Sequence, residues 1–284
     1  MIKAIILDVD GVIVGNKSGF NWPDPNIQVI EALKKLRSEG KIISLCTAKG
    51  TFAIKGIVEA AHLDNLHVGD GGAVVMDFIN NKIVDKYVIP HDLLIKTITL
   101  LQQRNLYLEL YGIGKYFVEK NKISEITKKH TDILHQEPIL VDSLIETAKK
   151  FEIIKIMPIV YGSKERDKLQ SFIASSGDEL TFQWGVHPSA LPAQFVAITV
   201  KSVSKNQAAK NIAKNYDIPL EEFLGVGDGM TDWGFIQLCG YKGAMGNASD
   251  ELKKKINAEG KKIFIGEDVN HNGLLSILKH FQLI

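Results

Sequence analysis

Two acidic stretches carry the residue types that could do chemistry. Near the start, the apolar run Ile5-Ile6-Leu7 leads straight into Asp8-Val9-Asp10-Gly11. A strand buried in a parallel sheet reads as a near-continuous apolar run and should carry no charge. Carboxylates at its carboxyl end therefore lie where open α/β sheets bind their ligands. Far along the chain the arrangement recurs as Phe223-Leu224-Gly225-Val226-Gly227-Asp228-Gly229-Met230-Thr231-Asp232. If the two strand ends are neighbours, several carboxylates converge, and like charges that close cannot all ionise without a cation. The expected chemistry is that of a bound metal. An EF-hand reading of Asp8–Gly11 fails, because no third ligand, turn glycine or closing glutamate falls at loop spacing.

The elements that must position these acids follow an alternating order. After a strand over 2–8, the segment to Pro25 is rich in Gly, Asn and Pro and reads as a loop. Apolar spacing then predicts a helix from Ile27 to a stop at Gly40, a strand over 41–46 and a further helix to about Ala61. His67–Gly69 leads to a short strand over 73–76, with Lys82–Val88 able to pair with it as a hairpin. Such βαβα order predicts a parallel, doubly wound sheet.

The middle reads as an antiparallel α+β module. A helix over about 90–104 precedes strand-like runs at 106–111 and 116–119, and short helical patterns follow near 123–130 and 141–149. A strand over 151–160, a helix over 164–174 and strands at 180–184 and 196–200 complete it. From Lys205 the βα alternation resumes to the end. The simplest organisation is one α/β core, residues 1–87 and 196–284, interrupted by an inserted α+β cap at 88–195.

Bulk properties narrow the class. The 284 residues carry 34 basic and 33 acidic side chains for a net charge of +1, so no global field draws in nucleic acid or an anionic membrane. Lys253-Lys254-Lys255 reads as a solvated helix face. No apolar run approaches the ~20 residues that span a bilayer. Met1 leads directly into a strand with Asp8 inside it, which is unlike a signal peptide. Cys46 and Cys239 lie in apolar surroundings and are expected to be reduced and buried, as suits a cytoplasmic protein.

The order of parts resembles the haloacid dehalogenase superfamily of phosphatases. It is most similar to the Cof-type sugar-phosphate phosphatases, which insert a large (C2-type) cap between the second and third motifs. Asp8-Val9-Asp10-Gly11-Val12 matches the first motif and Thr47 at a strand end the second. Lys205 in Ser204-Lys205-Asn206-Gln207-Ala208 matches the third. Gly227-Asp228-Gly229-Met230-Thr231-Asp232 matches the fourth, with Ala244-Met245-Gly246-Asn247-Ala248 following at the Cof spacing. The match covers 1–87 and 196–284, and 88–195 only by position and size.

The resemblance implies a Mg²⁺-dependent phosphohydrolase acting on a small-molecule phosphate ester, a sugar phosphate by the family's habit. Phosphate monoesters hydrolyse very slowly unaided, so the protein must neutralise anionic charge and position a nucleophile. Asp8 is the implied nucleophile, forming an aspartyl-phosphate that divides the reaction into two easier steps. Asp10 is the implied general acid for the leaving alcohol and then base for water, which requires surroundings unlike those of Asp8. Metal ligands would be Asp8, Asp228 and the backbone carbonyl of Asp10, with Asp232 acting through water or by positioning Asp228. Oxygen-only donors favour Mg²⁺ over Zn²⁺. Thr47, at an expected helix start, with Ala48 and Gly11 and the Lys205 ammonium, would hold the phosphate, and Asn247 would support them. A phosphomutase with the same intermediate and a non-catalytic binder of phosphorylated metabolites are the alternatives.

Some positions depart from the Cof pattern. Thr47 is followed by Ala48-Lys49 where the family has Gly-Arg, turning a bidentate contact into a point charge. Gly71-Gly72-Ala73 replaces Asn-Gly-Ala, and Val12 and Thr231 replace Thr and Asn. None of these removes a catalytic group. Gly225-x-Gly227-x-Gly229 and Gly112-x-Gly114 are not dinucleotide fingerprints. His62, His67, His130 and His135 are read as structural or surface residues, and Tyr111, Arg166, Trp184 and His187 as packing or surface residues of the cap.

Overall fold

The structure, a computed structural model of the chain, describes residues 1–186 and 190–284. His187 lies outside the described residues. Two compact units result, one of Met1–Ala48, Ile54–Asp85 and Ser204–Ile284, the other of Lys49–Ala53 and Lys86–Val203. Among the described residues no helix is long and apolar enough to cross a membrane.

The first unit is a parallel, doubly wound α/β sheet. Its strands are β1 (Ala4–Leu7), β2 (Ile42–Leu45), β12 (Phe223–Gly227), β13 (Tyr241–Ala244) and β14 (Ile263–Ile265), in the order β14-β13-β12-β1-β2. β1 is fully buried and pairs in parallel on both sides, Ile5 with Leu224 and Ile43, Leu7 with Val226 and Leu45. Side chains alternate faces along a strand. Ile5 and Leu7 therefore join Leu224 and Val226 in the core lined by α1 (Ile27–Ser38), α2 (Lys55–Ala60) and α10 (Gly273–His280). Ala4, Ile6 and Phe223 point the other way, into the core of α7 (Lys205–Tyr216), α8 (Met230–Ile236) and α9 (Asp250–Ala258). The chain leaves β1 toward β2 on one side and returns to β12 on the other. This is the reversal of strand order that leaves a crevice at the strands' carboxyl ends.

The run at 73–76 joins this unit differently from a further parallel strand. β3 (Leu66–Gly69) and β4 (Val74–Asp77) are antiparallel, and β5 (Lys82–Lys86) adds to β4. Only a 3₁₀ turn at Asp70–Gly72 separates β3 from β4, far too little for a crossover helix. His67 on β3 accepts the Leu45 N–H at 3.1 Å through Nδ1 and meets the Leu63 carbonyl at 2.9 Å through Nε2. The ring is therefore the Nε2–H tautomer, and burial lowers its pKa to about 4.

The second unit is α+β. Its sheet runs β10-β11-β9-β6-β7-β8, built from β6 (Tyr107–Gly112), β7 (Lys115–Glu119), β8 (Ile139–Val141), β9 (Lys155–Val160), β10 (Leu180–Val186) and β11 (Gln194–Val200). All neighbours are antiparallel except β7 and β8. Leu108, Leu110, Ile156 and Ile198 face α3 (His91–Gln103), α5 (Leu144–Ala148) and α6 (Gly162–Ser175). α4 (Glu125–Leu134) packs Ile126 and Ile133 against Ile159 and Phe195 on the other face. Because β11 is paired between β9 and β10, the chain re-enters the first unit at Ser204. The stretch read as helical near 141–149 begins where β8 ends and holds α5.

Candidate active site

Asp8 follows β1 and Asp228 follows β12, and pairing of these strands brings the two acids side by side. One ligand oxygen from each of Asp8, Asp228 and Asp232 lies within 4.8 Å of the others. Asp8 is 8% exposed and Asp232 fully buried. Asp10 stands outside this trio, half-buried, on a turn where residues 10 and 14 form a bridge. Its exposure thus differs from that of Asp8.

Lys205 supplies the only ammonium in contact with the trio among the described residues. It opens α7, whose N-terminus is capped by the Ser204 side chain accepting the Gln207 N–H at 3.1 Å. Its Nζ donates to Asp232 Oδ1 at 2.6 Å and lies 3.0 Å from Asp8 Oδ1. Asp232 is the third residue of α8, where a carboxylate can reach back to the helix start. Its Oδ2 accepts the backbone N–H of Asp228 at 3.1 Å and of Gly229 at 3.0 Å. Both oxygens of Asp232 are engaged, so the residue fixes the Asp228 loop. A Cβ at Gly227 would overlap the Asp232 carboxylate, so glycine is needed beneath it.

The electrostatics follow from one ammonium facing several acids. Burial alone would push the Lys205 ammonium down, but Asp232 and Asp8 outweigh it and hold its pKa above the ordinary lysine value. Lys205 is charged. The Asp8 carboxyl is held well above the usual carboxylate range, first by burial and then by the charge of Asp232; Lys205 opposes this, and Asp228 and Asp10 add to it. Burial and then Asp232 push Asp228 up to about 7. A cation among these oxygens would reverse both shifts.

The loop after β1 is shaped for close approach. Gly11 has φ +75°, and a Cβ there would overlap Asp228 Oδ2. Asn247 Nδ2 donates to the Gly11 carbonyl at 2.9 Å and lies 3.4 Å from Asp228 Oδ2. Gly72, at φ +110°, lies against the Ser204 backbone with no room for a side chain, bringing the turn after β3 up to Lys205.

Thr47 is placed otherwise than the sequence led one to expect. It is buried at the end of β2, but its N–H donates to the Val68 carbonyl at 3.1 Å. No helix starts there: the next helical turn is 3₁₀, over Thr51–Ile54. The backbone N–H is spent on β3 and is not offered to an anion. Ala48 follows, exposed.

The donor set fits a hard divalent cation. Asp8 Oδ1 is buried and makes no hydrogen bond, despite its proximity to Lys205. Asp8 and Asp228 offer oxygens, and Asp232 is already committed to Lys205 and two backbone N–H groups. Oxygen donors without nitrogen or sulfur suit Mg²⁺.

Other residues fall where the sequence placed them or beyond its reach. Cys46 and Cys239 are free and buried. Lys253 turns back to the Gly246 carbonyl at 2.6 Å instead of facing water. His130 and Tyr111 are structural, meeting the fully buried Glu109 at 2.8 Å each. Arg166 stacks over Trp184. The loop at 11–22 and the turn at 266–272, which flank Asn247, carried no readable signal beyond their glycines and asparagines.

The model of the family described as haloacid dehalogenase-like hydrolase matches residues 5–278. Phosphatase YwpJ of Bacillus subtilis (strain 168) is 22% identical, with 98% of this chain and 99% of that protein covered. A haloacid dehalogenase-like hydrolase from Bacteroides thetaiotaomicron superposes with a TM-score of 0.85 at 15% identity, covering 99% of this chain and 100% of that one. The sugar phosphatase BT4131, described as subclass IIB, superposes with a TM-score of 0.78 at 22% identity over 99% and 100% of the two chains. At these identities the structural likeness is one of fold.

Proposed function

This chain belongs to the haloacid dehalogenase-like hydrolases, and on that footing we propose that it is a Mg²⁺-dependent phosphatase of the Cof-type branch, acting on a small phosphorylated metabolite through an aspartyl-phosphate. The observation that carries the reading is the buried Asp8 oxygen without a hydrogen bond, beside Asp228 and a charged Lys205 at adjoining strand ends. A sugar phosphate is the proposed substrate class, supported by the naming of BT4131 as a sugar phosphatase. Selection of the leaving group is assigned to the inserted unit, by the same resemblance. Two unpaired, buried cysteines support a cytoplasmic setting.

In this reading the Asp8 carboxylate attacks phosphorus while Lys205 offsets the charge gathering around it. Asp8, Asp228 and the Asp10 carbonyl would hold Mg²⁺, which when bound neutralises phosphate charge. Asp232 keeps Lys205 and the Asp228 loop in register, and the Thr47 hydroxyl meets a phosphate oxygen. Asp10 gives its proton to the departing alkoxide and then takes one from the water that opens the acyl-phosphate.

A screen of sugar phosphates, polyol phosphates and nucleotides with Mg²⁺ tests this. Release of phosphate that stops with EDTA, returns with Mg²⁺ and is absent in Asp8→Asn is the expected result. Near-wild-type turnover in Asp8→Asn, or activity indifferent to chelation, overturns it.

A further inference from the structure

The loop after the first motif and a turn near the C-terminus are joined by amide groups that run to the candidate cation site. Asn21 is 1% exposed although it sits in a polar loop. Its side chain accepts the Lys17 N–H at 3.1 Å and donates to the Val269 carbonyl at 3.0 Å. Its own carbonyl accepts the Gly15 N–H at 3.0 Å. A Cβ on Gly15 would overlap the Asn21 and Asn270 amides, so this glycine makes room for the contact. Asn270 and Asn16 add a second tie: Asn270 Nδ2 donates to Asn16 Oδ1 at 2.9 Å, and Asn270 Oδ1 accepts the Asn16 N–H at 3.3 Å.

The next link leads inward. The Val269 N–H donates to Asn247 Oδ1 at 2.8 Å, and Asn247 Nδ2 reaches the Gly11 carbonyl and Asp228 Oδ2. An amide side chain has one acceptor oxygen and two N–H donors. Asn247 thus has a partner at each, and its orientation is set by what Val269 does. Val269 is in turn held by Asn21.

We propose that Asn21 is a positioning residue for the divalent cation, acting through Val269 and Asn247 on Asp228, so that the loop at 11–22 and the turn at 266–272 belong to the active site. This rests on the reading of Asp8 and Asp228 as cation ligands. Partners that orient a ligand commonly change metal affinity by about 10–100-fold when removed. Asn21 stands one peptide further out and carries a smaller share.

The experiment is calorimetric titration of the full chain with Mg²⁺, each protein held well below its own melting temperature so that lost stability alone does not move the result. Asn247→Ala should weaken Mg²⁺ binding roughly tenfold or more and Asn21→Ala roughly three- to tenfold. The double variant should be no weaker than Asn247→Ala, because the two act in series. Asn80→Ala removes an exposed amide that donates to Asp77 between β4 and β5, off this path, and should leave Mg²⁺ affinity unchanged. Wild-type affinity in Asn21→Ala, or full additivity in the double variant, overturns the proposal. Should Asn21→Ala fail to fold, Asn270→Ala takes its place, with about a two- to fourfold weakening expected and no change overturning it. A wild-type protein that binds no Mg²⁺ sinks the cation reading and this inference together. Wild-type binding with unaffected variants sinks this inference alone.

Discussion

Lys205 Nζ and Asp232 Oδ1 meet at 2.6 Å where neither side chain is more than 6% exposed. The pair joins the first turn of α7 to the first turn of α8, and the same ammonium reaches Asp8. Removing one member of a buried ion pair leaves an uncompensated charge, which costs about 3–5 kcal/mol. Lys205→Met should therefore lower the stability of the metal-free protein by about that amount in urea unfolding, and reduce kcat by at least about a hundredfold. A loss under about 1 kcal/mol would show the ammonium to be dispensable.

Asp228 sets a pH dependence of the opposite sense to ordinary acid denaturation. Its folded pKa is raised to about 7, by burial and then by Asp232. The folded state therefore binds the proton more tightly than the unfolded chain. Stability is fully present below about pH 4 and is lost as pH rises through 7, by up to about 4 kcal/mol. In EDTA, Asp228→Asn should gain on the wild type between pH 5 and pH 8 by several kcal/mol. Parallel pH profiles for the two proteins would refute the assignment. Saturating Mg²⁺ should remove the wild-type slope, since a bound cation favours the carboxylate.

His67 works in the other direction. Its pKa is lowered to about 4 by burial, while the unfolded imidazole titrates near 6.5. Its contribution is complete above pH 6.5 and is lost as pH falls toward 4, by up to about 3 kcal/mol. Replacing it with Gln should flatten that acid limb in guanidinium titrations. An unchanged limb would mean that other groups govern it.

Gly11 tests geometry without touching charge. With φ +75° and Asp228 Oδ2 in the place of a Cβ, Gly11→Ala must displace either the loop or the carboxylate. We expect kcat/KM to fall by at least about a hundredfold while the far-ultraviolet spectrum stays native. Gly40→Ala, at φ +87° with open space around it and outside that loop, controls for backbone strain alone and should keep its activity. Equal losses in the two variants would place the effect in the backbone rather than at Asp228.

The acidic strand ends were legible because charge interrupts an apolar run there, and the pairing of β1 with β12 does the rest. Asp8, Asp228 and Lys205 come together at the reversal of strand order that βα alternation implies. Thr47 was half legible: its position at a strand end is right, but the partner of its N–H depends on β3, a strand hidden in Leu66–Gly69. Glu109 was out of reach, since an acid inside a strand names neither the tyrosines nor the histidine that will satisfy it. Asn21 was equally silent. Its loop reads as turn residues, and what distinguishes it is a hydrogen bond to Val269, a residue near the other end of the chain.

β1 precedes its sheet partners along the chain and ends up paired on both edges, between β12 and β2. β1 can join β2 early, but its other edge waits for Phe223–Val226, far along the chain. Until then the nascent polypeptide carries an open, apolar strand edge, the kind of surface on which incomplete chains aggregate and chaperones act. Premature termination anywhere before β12 therefore yields a product that is sticky as well as inactive, and cellular quality control meets it long before any enzyme exists to be regulated.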